Sequence, residues 1–530
     1  MKVSLNTLRH LSNVPVDEDV DNLVKKIGAQ LGAVEEVIDY RPRYEKIVVA
    51  KVVSCEKHPN ADKLSVCHID DGGNTPDVNR DENGLVQVVC GAPNVREGLI
   101  VAWIPPGATV PTTFDNDPFV LGARELRGVV SNGMLASASE LGISNDHSGI
   151  LEISTDDVGE DNVKPGTPFV QLFGLSDVII DIENKMFTHR PDCFGVLGVA
   201  REIAGIYGQQ FISPKWYFDN LDKKYEVVTS EADAKLELKI QNDLPDLVPR
   251  FVACAMDKIV IAPSPLWMQA LLMRVGIKPI NNIVDLTNYY SYITAQPLHA
   301  YDYDKVAALT EEEGAKLIVR YPKQGEQVAL LNGKTITPRN EAVMIATDKE
   351  LIGVGGVMGG SSTEVDDTTT RIILECANFD MYSIRKTSMA NGLFTDAVTR
   401  FNKGQSALQN RIIANRVIQD IADYGGCVAS ELIDDLDCDK ITISHDGWRD
   451  EEVDITSRFI NDRLGLNLTL DEIKQTLKNV EFGFDDAGED TIKVYAPFWR
   501  TDILLPEDIV EEVGRLVGFD KLPYELPSRT

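Results

Sequence analysis

Between residues 45 and 150 the chain breaks into short β-branched runs separated by glycine and proline, and this pattern constrains the fold more than any other. Residues 47–53 alternate weakly, as a strand does; residues 86–89 and 99–103 are further strands. Gly91-Ala92-Pro93-Asn94 and Pro105-Pro106-Gly107 punctuate them. Many short strands with such turns predict a small closed β-barrel. The polar, acidic stretch 71–84 predicts an exposed loop insertion.

The rest of the chain reads as mixed helix and strand. At 530 residues it is long enough for several domains, and 43% hydrophobic with 25% charged residues is ordinary for globular proteins. Residues 1–38 form a mixed lead-in that residues 151–205 are expected to rejoin. Thr188 to Cys193 is expected as a turn, and 196–206 as a helix with Val199, Ile203 and Ile206 on one face. Residues 214–234 read as a linker. A second unit follows, with strands at 236–240 and 342–346. A third begins near 440. There Thr469-Leu470-Asp471-Glu472 is a capping-box pattern, followed by the stripe Ile473, Leu477, Val480. Thr491 to Tyr495 is a strand. Pro506 opens a helix with Ile509, Val513, Leu516 and Val517 inward and Gly518 as its stop. No apolar run is long enough to cross a bilayer, which predicts no membrane and a cytoplasmic location. Eight scattered cysteines without a Cys-x-x-Cys pair predict reduced thiols. The net charge of −31 argues against nonspecific nucleic-acid binding and leaves room for local basic patches.

Three elements point to a pocket. Residues 281–302 place Thr287, Asn288, Pro297 and His299 close together in sequence; a hydroxyl, a carboxamide and an imidazole can orient a ribose, an amine or a water. The run 351–360 is rich in glycine, which lets backbone approach a ligand. It is neither a P-loop nor a dinucleotide fingerprint, since no Gly-Lys-Ser/Thr and no apolar helix follows. Glu375 ends the apolar run Ile372-Ile373-Leu374, so it needs a partner or a ligand. Singly, each of these residues also fits a core or turn role. Near the C-terminus, Asp508, Glu511 and Glu512 share a helix face, with Asp502 just before it. Carboxylates alone suit a hard cation such as Mg²⁺; acids in a first turn also simply favour the helix dipole.

Residues 58–64 (His-Pro-Asn-Ala-Asp-Lys-Leu), 89–95 and 126–135 resemble the OB-fold tRNA-binding domain found in several synthetases and synthetase-associated proteins. An OB barrel offers an open face to a nucleic-acid strand, and Lys51, Lys63, Arg124 and Arg127 are its candidate phosphate contacts. The central motifs, with Gly392-Leu393-Phe394-Thr395-Asp396-Ala397-Val398-Thr399-Arg400-Phe401 after them, resemble the B3/B4 region of the bacterial-type phenylalanine–tRNA ligase beta subunit, and the third unit resembles its B5 domain.

The resemblance covers nearly the whole chain and implies an α+β multidomain fold. An OB-fold β-barrel (39–150) would be inserted in an N-terminal α/β domain (1–38 plus 151–205). A B3/B4-like α+β editing domain (210–410) and a B5-like winged-helix-type domain (435–530) would follow. It implies ester hydrolysis of tyrosine wrongly attached to the phenylalanine tRNA, since a mainly apolar pocket rejects one added hydroxyl by only about a hundredfold. Glu375 would receive the tyrosine hydroxyl. Gly355 and Gly356 would line the amino-acid pocket, and Thr287, Asn288, Pro297 and His299 would place the terminal adenosine, ester and water. A positioned water suffices for an activated ester, so His299 is expected as an organiser rather than a general base.

The matching carboxylates Asp502, Asp508, Glu511 and Glu512 would bind Mg²⁺ at the contact with an alpha subunit. That subunit would carry ATP-dependent phenylalanine attachment in an α2β2 tetramer on tRNA(Phe). The family's pattern continues past Thr530 into catalytic-like and anticodon-binding parts, so this polypeptide is expected not to charge tRNA alone. Gly355 stands where the family is expected to have alanine, a change expected to widen the pocket, and Thr399 and Asn402-Lys403 vary the family pattern. Two other readings are a non-catalytic tRNA-binding or assembly protein built from the same modules, and a nucleotide-dependent enzyme, which the absent P-loop lysine disfavours.

Overall fold

Strand Val48–Lys57 buries Ala50 and Val52 and turns Lys51 and Val53 outward, the two-residue period of a pleated sheet. In the computed structural model, which describes residues 1–12, 19–218, 235–435 and 448–523, it is the middle of a five-stranded antiparallel sheet. The order is Val86–Cys90, Ser65–Asp70, Val48–Lys57, Ile100–Ile104, Met134–Leu135. This sheet forms the nearly closed barrel that the sequence predicts. Trp103 fills it and donates its indole N–H to the Asn132 carbonyl at 2.9 Å. The insertion 71–84 is not wholly exposed as expected. Asp71 at its base is fully buried and takes both guanidinium nitrogens of Arg80 at 2.6 and 2.9 Å. A buried carboxylate needs such pairing.

After the barrel, strand Val178–Ile182 pairs antiparallel with both Lys2–Ser4 and Val34–Asp39. Helix Val196–Ile206 follows and is buried along its length. The segment expected as a turn at Thr188 to Cys193 is built around short 3-10 helices, Lys185–Phe187 and Pro191–Phe194, and Arg190 and Asp192 are buried in it. Of the expected linker, Pro214 to Phe218 is packed instead. Tyr217 is buried, donates to Gln409 Oε1 at 3.0 Å and stacks near Phe498 and Trp499. The remainder of that linker, Cys438 and the expected start of the third unit near 440 lie outside the described residues.

The central unit has two sheets. One runs Leu238–Asn242, Ala315–Arg320, Met344–Ala346, Leu351–Val354, Met358–Gly359; the other runs His299–Asp302, Ile372–Asn378, Arg250–Asp257, Cys427–Val428. Strand Ile372–Asn378 is buried on both faces. Ile372, Leu374 and Cys376 join a core shared with helices Asn282–Thr294 and Asn410–Asp423. Ile373 and Ala377 turn to the other sheet, against residues such as Leu317, Val319 and Ile352. Glu375 lies between them and therefore on that second face.

The last unit is a three-stranded antiparallel sheet, Trp448–Thr456, Thr491–Pro497, Gly483–Asp486, with three helices. The capping box at Thr469 and Glu472 forms as the sequence predicts, and the final helix runs Pro506–Val517 before Gly518 at φ +109°. Buried ion pairs tie this unit to the first domain. Arg190 meets Glu512 at 3.4 Å and Arg201 meets Glu481 at 2.8 Å across the boundary; Arg190 also holds Asp192 and Glu202 of its own domain at 2.9 and 2.6 Å, and Arg500 holds Glu512 within the last unit at 2.8 Å. Arg515 bridges Glu202 and Glu512.

Candidate functional site

Asn281 starts the helix Asn282–Thr294 by accepting from the Ile283 and Val284 N–H groups at 3.1 and 2.9 Å. The helix ends at Ala295 in left-handed conformation, φ +66°. The buried Gln296 amide then donates to the Pro297 and Ala377 carbonyls, both at 2.9 Å. That clamp fixes the entry to strand His299–Asp302, whose first residue stands opposite Glu375 in the antiparallel register. Ala253 is opposite Glu375 on the other side, and its small side chain takes little of the space above the carboxyl.

A cavity of about 250 Å³ opens over this register, and Asn288, Pro297, His299, Gly355, Gly356 and Glu375 all line it. Its remaining wall is mostly apolar, with Ile345, Val354, Phe379 and Phe401, and it is smaller than the roughly 300–1,000 Å³ of drug-sized ligand sites. Thr287, expected beside them, does not line it. Thr287 is buried and donates its hydroxyl to the Val284 carbonyl of its own helix at 2.7 Å. One residue further on, a rotation of about 100° points Asn288 to the cavity instead.

Burial pushes the Glu375 carboxyl up to about 7, opposed by a hydrogen bond from the Tyr301 hydroxyl at 2.5 Å to Oε2. The same burial and the neighbouring carboxyl raise the Tyr301 phenol well above its ordinary value. Tyr301 is a site residue that the sequence reading missed. The two-residue period from His299 was the available signal, since it puts Tyr301 on the same face of the strand. The His299 ring packs edge-on against Tyr301, with centroids 4.5 Å apart. Burial lowers its pKa to about 4, so the imidazole is neutral at pH 7.

The glycine run forms the hairpin Leu351–Val354 and Met358–Gly359, with Gly356 at φ +67° in the turn. A Cβ on Gly359 would lie 2.6 Å from His299 Cε1, so this glycine makes room for the imidazole. A Cβ on Gly355 would lie 2.9 Å from Phe379 Cε1 and 3.0 Å from Val343 Cγ1. The missing methyl there is taken up by core packing and does not widen the cavity. Thr395, also unassigned by the sequence reading, caps helix Asp396–Phe401 and donates to the Val357 carbonyl at 2.8 Å, fixing the hairpin turn.

The barrel's four candidate cations, Lys51, Lys63, Arg124 and Arg127, are all exposed. Arg127 and Gly128, at φ +50° and +91°, form the two-residue turn joining strands Ala123–Leu126 and Val129–Asn132. Asn60 donates to the Arg127 carbonyl at 3.0 Å, and His58 Nε2 lies 2.9 Å from the Leu126 carbonyl. These bonds hold a non-glycine residue in a left-handed turn and tie the loop of Lys63 to the hairpin. A groove of about 560 Å³ runs beside it; of the four cations Arg124 lines it, its guanidinium 5.8 Å from the Phe119 ring centroid.

The carboxylates expected at a magnesium do not gather. Asp502 takes two bonds from Arg500, at 2.8 and 2.7 Å. Asp508 caps its own helix by accepting from the Leu504 and Leu505 N–H groups at 2.8 and 2.7 Å. Glu511 faces His189 at 3.4 Å. Glu512 is buried under Arg190, Arg500 and Arg515, which hold it well below the usual carboxylate range. Among the described residues no group of three or more His, Cys, Asp or Glu side chains could hold a metal ion. With Asp502 and Glu512 taken by arginine, Asp508 by backbone N–H groups and Glu511 facing His189, this donor set does not fit the cation.

Three family models match in order: "Putative tRNA binding domain" over residues 47–161, B3/4 domain over 247–426, and tRNA synthetase B5 domain over 453–519. Curated relatives named phenylalanine–tRNA ligase beta subunit align along the chain. That of Oceanobacillus iheyensis is 34% identical over 539 aligned residues, 100% of this chain and 60% of the relative. That of Desulfotalea psychrophila is 36% identical, covering 93% and 55%, and that of Moorella thermoacetica 34%, covering 94% and 56%. The chain thus spans about 60% of the length of the curated relatives it matches. A solved N-terminal fragment of the phenylalanyl-tRNA synthetase beta subunit from Pyrococcus horikoshii covers 64% of this chain and 88% of its own at 14% identity, with a TM-score of 0.32, too low to bear on the fold. In domain content and along its whole length, this chain is similar to the phenylalanine–tRNA ligase beta subunits.

Proposed function

We propose that the chain serves as the beta subunit of a phenylalanine–tRNA ligase and that its central cavity hydrolyses tyrosine from mischarged tRNA(Phe). The observation that carries this reading is Glu375, a buried carboxyl at an apolar cavity that already accepts a hydrogen bond from a phenol, that of Tyr301. A tyrosyl ligand presents a second phenol to the same carboxyl, and a phenylalanyl ligand presents none. Buried polar groups discriminate strongly in this sense, because an unmet partner costs more than a met one contributes.

In the hydrolysis, water adds to the ester carbonyl carbon and the ribose oxygen leaves, giving free tyrosine and tRNA with its terminal hydroxyl restored. Neutral His299 can hold that water by accepting its proton in a hydrogen bond, and the Asn288 carboxamide can donate to the ester or ribose. With its pKa depressed to about 4, His299 is a weak base, which fits an orienting role. Thr287 supports Asn288 through the helix they share. The groove beside Arg124 and Phe119 pairs a cation with an aromatic face, the combination that binds single-stranded RNA. ATP, magnesium and phenylalanine attachment belong to an alpha subunit in this reading, and the pair works in the cytoplasm. Incubating the purified chain with tyrosyl- and phenylalanyl-tRNA(Phe) tests it. Faster release of tyrosine, and co-purification with an alpha subunit, are expected; equal spontaneous rates for both esters would overturn the hydrolase reading.

A further inference from the structure

A second cavity, of about 220 Å³, adjoins the first; Asp396 stands in the walls of both. Lys2, Tyr292, Thr399 and Arg400 also line it. Arg400 is only 6% exposed. Its Nη1 donates to the Asp396 backbone carbonyl at 3.1 Å, and its Nε has no hydrogen-bond partner. The Asp396 carboxylate is 3.8 Å away on a side chain that is 75% exposed. The buried Arg190, Arg201, Arg250 and Arg500 differ: each holds a carboxylate at 2.6 to 2.8 Å. The terminal amine of Met1 is already taken by Asp181 at 3.0 Å. Arg400 is therefore a buried guanidinium with donors to spare, facing a cavity, next to the site where an acyl-RNA end would sit.

We infer that this cavity is an oxyanion subsite centred on Arg400, taking a phosphate group. A planar guanidinium matches phosphate oxygens with two parallel bonds, and Lys2 adds a second positive charge. The phosphate comes from a phosphodiester of the strand whose 3′ end occupies the adjoining cavity; a polynucleotide carries one phosphate per nucleotide, so an end placed in one cavity brings one beside it. That source rests on the proposed acyl-RNA site, whereas the oxyanion chemistry of Arg400 does not.

The test titrates the chain with the trinucleotide CCA carrying native phosphodiesters, and with the methylphosphonate version, whose linkages are neutral. The native form is expected to bind at least tenfold more tightly, and Arg400→Gln to erase most of the difference while Arg400→Lys keeps part of it. Equal binding of the two forms by the unaltered chain, or an undiminished difference in Arg400→Gln, overturns the proposal. If Arg400→Gln fails to fold, the comparison in the unaltered chain and in Lys2→Gln decides it. Inorganic phosphate is titrated in parallel. Binding of phosphate that Arg400→Gln abolishes, with no binding of either trinucleotide, assigns the subsite to free phosphate and overturns the RNA source. In deacylation assays Arg400→Gln should raise KM for tyrosyl- and phenylalanyl-tRNA alike. A chain that releases neither amino acid yet prefers the native trinucleotide tenfold loses the hydrolase reading and keeps the subsite.

Discussion

Replacing Glu375 by Gln removes a proton-binding group and keeps its shape, so the effect on stability is set by pH. Burial raises this carboxyl from 4.5 to about 7 in the fold. Below the unfolded value both states are protonated and the residue is neutral to stability. As pH rises from about 4.5 to 7 the unfolded chain releases the proton first, and the fold is progressively penalised. At about 1.4 kcal/mol per tenfold change in proton affinity, the rise corresponds to about 3 kcal/mol once both states are ionised. Glu375→Gln should therefore gain about 3 kcal/mol on the parent between pH 4.5 and pH 8. Hydrogen exchange in urea at the amides of strands Arg250–Asp257 and Ile372–Asn378 isolates the unfolding of this sheet from that of the other domains. A parent and variant with parallel pH dependence over that interval would refute the argument that Glu375 is a desolvated, proton-holding carboxyl.

Gly359→Ala should slow tyrosine release at least tenfold with little change in fold stability, because its Cβ would fall 2.6 Å from His299 Cε1 and displace the ring; unchanged rates would show that the imidazole position is immaterial. Glu512→Gln leaves three buried guanidiniums short of an acceptor and should cost about 3–5 kcal/mol, read by thermal unfolding of the last domain against the first. His299 should contribute no inflection near pH 6.5 to tyrosine release, since burial holds its pKa at about 4 and it stays neutral across pH 5.5–8; a pH–rate profile that breaks near 6.5 and loses the break in His299→Asn would contradict this.

Local patterns were legible where period and composition act over a few residues. The barrel strands, the Thr469 capping box and the helix from Pro506 to Val517 all follow from such signals. The candidate site was legible as residue types that a core does not need, and Asn288, Pro297, His299, Gly355, Gly356 and Glu375 do meet at one cavity. Thr287 was not separable from Asn288 by type; only the helix rotation sends its hydroxyl back to Val284. The C-terminal carboxylates show the same limit. Their spacing fits a cation, but Glu512 is buried under arginines that include Arg190, and a pairing over 322 positions leaves no trace in a local pattern; Asp508 instead caps its own helix. Gly355 and Gly359 do line the cavity, and their missing methyls also make room for Phe379 and His299, which the sequence does not show.

The central claim is that Glu375 selects tyrosine by its hydroxyl. Single-turnover deacylation of tyrosyl- and phenylalanyl-tRNA(Phe) by the chain and by Glu375→Ala tests it directly. The account predicts that the variant loses its preference for the tyrosyl ester, with release of tyrosine falling at least tenfold and release of phenylalanine unchanged. Tyrosine release at the parent rate in Glu375→Ala would contradict it.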